Sequence, residues 1–69
     1  MSGAWFVEVW ASNGKKPKEE HSFTGFEPLH AYTHDFKERK TDDILRVHLP
    51  SQSTDEQRIA MAKLGVQFL

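Results

Sequence analysis

Residues 4–11 read AWFVEVWA. In an extended chain successive side chains point to opposite faces. Trp5, Val7 and Val9 therefore share one face, and Phe6, Glu8 and Trp10 share the other. β-Branched and aromatic residues fit a pleated, packed surface, so the segment reads as a strand. Both of its faces are largely apolar. Such a strand is either central and covered on both sides, or it keeps its second face for a partner.

The neighbouring segments supply the rest of a sheet. Residues 12–20, SNGKKPKEE, are polar. Asn13-Gly14 is a hairpin-turn pair, because both positions tolerate positive φ. A two-residue hairpin would lay Lys15, Lys16, Pro17 and Lys18 along the apolar strand, and Pro17 cannot donate to a ladder. A longer loop is expected instead, followed by a second strand over residues 21–26 (HSFTGF), with Gly25 permitting a bulge or an end. Pro28 suits a first helical turn, where its missing N–H costs nothing. Leu29, Tyr32, Thr33 and Phe36 follow at i, i+3, i+4 and i+7, with Lys37, Arg39 and Lys40 near the cation-favouring end. The spacing predicts a helix over 28–39.

Residues 44–49, ILRVHL, alternate Leu45, Val47 and Leu49 against Arg46 and His48. This predicts a third strand stopped by Pro50; a short helix capped by Thr41 is the competing reading. Ser53-Thr54-Asp55-Glu56 has capping-box spacing, with Ser53 and Glu56 as the reciprocal pair. A second helix over 54–64 should follow, with Gly65 just past its end. Val66 to Leu69 can form a final edge strand. The order β-β-α-β-α-(β) predicts one α+β domain spanning residues 1–69. It has two layers, an antiparallel or mixed sheet, and both helices on one face. The other face is left to solvent or to a second copy.

Composition narrows the functions. Nine Lys+Arg against ten Asp+Glu give a net charge of -1, which provides no overall pull toward nucleic acid or anionic lipid. The absence of Cys excludes disulfides and Cys-type zinc sites. No apolar run approaches the roughly 18 residues of a membrane span. Met1-Ser2-Gly3-Ala4-Trp5 has no basic residue and Glu8 interrupts the apolar run, so no secretory leader is expected and a cytoplasmic location follows. Hydrophobic residues make up 38% of the chain, and even with the 4 glycines the total stays below the usual roughly 45–50%. Without staples, a domain of this size rarely exceeds about 3–5 kcal/mol of stability.

Candidate chemistry is sparse. His30 and His34 in HAYTH stand one helical turn apart, the spacing of a bidentate metal pair, with His21, His48 or Glu27 as possible third ligands. No Glu follows His30, so the HExxH pattern is absent, and a solvated helix flank is the simpler reading. Asp42-Asp43 suit a turn or cap, and Glu19-Glu20 lie in the loop. Glu8, set between Val7 and Val9, is placed to pair with a cation, to sit at a sheet edge or to contact a partner. No nucleophile elbow and no Gly-rich phosphate loop occurs. The expectation is a non-enzymatic chain with no catalytic residue and no cofactor.

A sub-average core and two Trp on one strand suggest a surface that requires covering. The chain is therefore read as a small protein-binding module: an inhibitor, adaptor or accessory regulator of a larger protein, or a homodimer. Trp5, Phe6, Glu8 and Trp10 form its expected contact surface, with Lys15, Lys16 and Lys18 at the rim. The second reading is a single-strand nucleic-acid binder that stacks bases on sheet aromatics beside two Lys/Arg clusters. Acids follow both clusters in sequence and weaken it. The third reading is a His-based metal site.

Overall fold

The computed structural model describes residues 4–69; the reading of Met1 to Gly3 as a start without basic residues lies outside them. Six elements follow in order. They are β1 (Trp5–Trp10), β2 (Pro17–Phe23), α1 (Phe26–Glu38), β3 (Ile44–His48), α2 (Asp55–Lys63) and β4 (Gln67–Phe68). The strands form one mixed sheet in the order β2-β1-β3-β4. β1 runs antiparallel to both neighbours, and β4 runs parallel to β3. A parallel neighbour needs a crossover connection, and α2 provides it. The domain is α+β, as the order of elements in the sequence predicts.

Burial follows the strand alternation. Val7 lies opposite Val47 and Val9 opposite Leu45, and all four are buried. They form one core with Leu49, with Leu29 and Phe36 of α1, and with Met61 of α2. Trp5, Phe23, Phe26, Tyr32, Leu64 and Val66 are half-buried around it. Both helices thus close the same face of the sheet. Thr33 is also buried; its hydroxyl donates to the Leu29 carbonyl at 2.8 Å, which satisfies the polar group within its own helix.

Several boundaries differ from the sequence reading. β2 begins at Pro17, not near His21, and ends at Phe23. It is an edge strand, so a proline at its first position forfeits no ladder bond that a neighbour requires. The pairing register slips where Val9 faces Glu19 and Trp10 faces Pro17, which leaves Lys18 as the extra residue of a bulge. The turn also shifts. Gly14 N–H donates to the Ala11 carbonyl at 2.9 Å, which puts Ser12-Asn13 at its centre. Neither Asn13 nor Gly14 has a positive φ. The loop continues to Lys16 before pairing resumes, so the tight mirror-image turn is not needed. α1 starts at Phe26 rather than 28, with Pro28 still in its first turn. The early start brings Phe26 edge-on to Trp5, with centroids 6.2 Å apart.

The capping box is real but sits one residue later than Ser53 and Glu56. The Thr54 hydroxyl accepts from Gln57 N–H at 3.1 Å, and Thr54 N–H donates to Gln57 Oε1 at 2.9 Å. Ser53 is already engaged in the turn after β3. Its N–H and hydroxyl both donate to the Pro50 carbonyl, at 3.0 and 2.7 Å. Thr54→Ala is expected to cost about 1 kcal/mol of unfolding free energy, read as a lower urea midpoint at unchanged slope. An unchanged midpoint would show that the cap is energetically idle. Gly65 follows α2 with φ +77°, the left-handed region that glycine enters without strain.

Candidate protein-binding face

With both helices on one side, the other side of β1 presents Phe6, Glu8 and Trp10. Register determines what surrounds them. From β3 come His48 beside Phe6, Arg46 beside Glu8, and Ile44 beside Trp10. From β2 come Ser22 beside Phe6, Glu20 beside Glu8, and Pro17 beside Trp10. Gln67 of β4 lies next to Arg46. The middle row of the face therefore reads Glu20, Glu8, Arg46, Gln67 across the four strands. No cavity forms among the described residues, so the candidate surface is a face and not a cleft.

The aromatic side chains on this face are held in defined poses. Phe6 and His48 stack with centroids 4.8 Å apart and planes 18° apart. His48 Nδ1 donates to the Ala4 carbonyl at 2.7 Å, which fixes the imidazole orientation. The Arg46 guanidinium sits 4.5 Å from the Trp10 ring centroid, within cation–π range. Trp10 Nε1 donates to Glu8 Oε1 at 3.0 Å. Glu8 and Arg46 are opposite in charge and in register, yet each engages Trp10. Among the described residues, the ion pairs within 4 Å are Lys18–Asp43, His21–Glu19 and His34–Glu38, and none uses Glu8 or Arg46. Arg46 Nε is shielded from solvent and meets no acceptor. The centre of the face thus holds one anion and one cation, each half-buried without an ionic partner.

The residues expected at the contact surface are divided by the sheet. Phe6, Glu8 and Trp10 come together. Trp5 does not join them, because alternation turns it toward Phe26 on the helix side. Lys15 and Lys16 are exposed in the loop. Lys18 is tied to Asp43 by a 2.9 Å ion pair that joins the β2 bulge to the entrance of β3. That hydrogen bond and the Asp43 charge hold the Lys18 proton more tightly than usual. Ile44, Arg46 and His48 of β3 also lie on the face and are not among the expected contact residues. The alternation in ILRVHL places them together, but only the β1–β3 register brings them beside Phe6, Glu8 and Trp10.

The histidines do not converge. His30 lies against Phe26 at 5.2 Å between centroids, and His34 Nδ1 is 3.3 Å from Glu38 Oε1. His21 is on the helix side, where its Nε2 donates to Glu19 at 2.9 Å, whereas His48 is on the open face. The sheet separates these possible third ligands. Among the described residues, no three His, Asp or Glu side chains gather in a way that would hold a metal ion. No helix among them is long and apolar enough to cross a membrane.

At the helix-side rim, Tyr32 is enclosed by His21, Phe23 and Arg39, with ring or charge centres 5.0, 5.6 and 5.8 Å away. Its hydroxyl is shielded and has no hydrogen-bond partner. Burial raises its pKa above 10.0, the nearby Glu19 charge adds to this, and Arg39 opposes it without reversing it. The folded state therefore holds this proton more tightly than the unfolded chain. The resulting stability is fully present below the unfolded pKa and is lost as pH rises through the folded one. Absorbance titration of this single tyrosine should give a midpoint above 10.0, moving higher in Arg39→Ala. A midpoint at or below that of free tyrosine would contradict the enclosure.

No family model, curated protein or solved structure matches the chain.

Proposed function

We propose that this chain is a non-enzymatic protein-binding module that acts through the open face of its sheet. The observation that carries the reading is the pair of fixed aromatic platforms, Phe6–His48 and Trp10–Arg46, around Glu8 and Arg46, neither of which has an ionic partner among the described residues. Aromatic rings and arginine are enriched among residues that dominate protein interfaces. Rings already held in place lose little freedom on binding. Inhibitor, adaptor and accessory-subunit roles all use such a surface without requiring catalytic groups.

Single-strand nucleic acid is the second reading, because aromatic rings on a sheet face can stack bases. Glu8 and Glu20 argue against it. They stand side by side in the middle row, where a phosphate backbone would meet two carboxylates. The test is capture from a lysate of the source cells, with and without nuclease, followed by direct titration of the captured protein. The expected result is nuclease-resistant capture by the wild type that Trp10→Ala abolishes. Capture lost on nuclease treatment, with binding to a single-stranded oligonucleotide that falls steeply with salt, would replace this reading with the second one.

A further inference from the structure

We infer that the partner seated on the open face is a second copy of this chain. The two copies would be related by a two-fold axis that runs parallel to the strands, midway between β1 and β3. The inference rests on the protein-binding reading of that face and adds the occupant and its geometry. Its basis is the middle row: Glu20, Glu8, Arg46, Gln67. Sheets packed face to face lie about 10 Å apart with side chains interdigitated. The proposed axis reverses strand order and preserves level along the strands. β1 then lies over the partner's β3, and β2 over the partner's β4.

Every position in the row meets a complement under this operation. Glu8 falls on the partner's Arg46, and Arg46 on the partner's Glu8. Glu20 falls on the partner's Gln67, whose amide N–H groups are donors to a carboxylate. The flanking rows follow the same rule. Phe6 meets the partner's His48, and Trp10 meets the partner's Ile44, so ring meets ring and apolar meets apolar. A two-fold running across the strands at this row would do the reverse. It would set Glu8 on the partner's Glu8 and Glu20 on the partner's Glu20, and close like charges are unfavourable. Self-complementarity of one patch is what a two-fold interface requires. It also supplies the ionic partners that Glu8 and Arg46 lack among the described residues.

The face is small. Four strands spaced about 4.8 Å apart, with about six residues of roughly 3.3 Å each, cover less than the usual ~800 Å² per partner. The dimer should therefore depend on concentration, dissociating at about 10–100 µM.

Sedimentation velocity across a concentration series tests the pairing by charge exchange. Wild type should shift from monomer to dimer. Glu8→Arg places two cations in each copy's central pair, and Arg46→Glu places two anions there. Each variant alone should lose self-association by at least about tenfold. Mixed in equal amounts, they should form a heterodimer at least as readily as wild type dimerises, because each cation then meets an anion of the other chain. Heterodimer formation also shows that both variants are folded. Should either fail to fold, the neutral Arg46→Gln should still weaken the wild-type dimer by about tenfold. Wild type that remains monomeric up to about 0.5 mM, well above the expected dissociation range, would overturn the second-copy inference. The protein-binding reading would then stand or fall on the Trp10→Ala capture result alone. Dimerisation unaffected by any of these changes, or singly monomeric variants that fail to combine, would overturn the row pairing.

Discussion

Leu29→Ala is expected to lower the unfolding free energy by about 3 kcal/mol, most of what a domain of this size has. Leu29 is fully buried in the first turn of α1, where it joins helix and sheet in one core with Val7, Val9, Val47 and Met61. Truncation removes the transfer free energy of the side chain and leaves a void. With only two layers, the surrounding chain has little to collapse into that space. Urea unfolding followed by tryptophan fluorescence would read the change directly. Ile59, on α2 and 55% exposed, is the matched control; Ile59→Ala should stay within about 0.5 kcal/mol of wild type. A loss below about 1 kcal/mol at Leu29 would mean that the core is less closely packed than its burial implies.

Trp10→Ala is expected to weaken binding at the open face by about a hundredfold while leaving the fold intact. The ring serves two charged neighbours at once. It carries the Arg46 guanidinium at 4.5 Å, donates Nε1–H to Glu8, and ends the Phe6–Glu8–Trp10 line. Removing it frees both charged side chains from their poses and deletes the largest apolar surface of the face. Trp10 lies outside the helix-covered core, so stability should fall less than in Leu29→Ala. Trp10→Phe keeps a ring beneath Arg46 but loses the bond to Glu8, and its affinity should fall between the two. If Trp10→Ala binds a captured protein as tightly as wild type, the open face is not the contact surface. If the variant unfolds, Trp10 belongs to the core, and the division between the two faces is wrong.

The element order was legible because each segment carries its own period. AWFVEVWA and ILRVHL alternate, Leu29 to Phe36 follow helical spacing, and Gly65 marks the end of a helix. Boundaries were less legible where a local signal had two equivalent readings. Ser53 and Thr54 are both capping residues, with Glu56 and Gln57 in matching positions. The choice fell to Thr54 because the turn after β3 already uses Ser53. Pro17 looked like a barrier to pairing because proline disfavours a central strand. At a sheet edge the objection disappears, and edge position is a property of strand order.

The candidate site divides in the same way. Sequence alone placed Phe6, Glu8 and Trp10 on one side of a strand, since alternation is a local consequence of extended geometry. It also determined that this side is aromatic and that the chain has a modest core and no covalent staple. Which side the helices cover depends on contacts far apart in sequence. The register that sets Arg46 beside Glu8 and His48 beside Phe6 likewise pairs residues about forty positions apart, too distant for any local pattern to specify. Tertiary structure therefore decided that Trp5 packs half-buried against the core while Trp10, five positions on, lies on the open face. It also brought four residues from four strands into the row Glu20, Glu8, Arg46, Gln67.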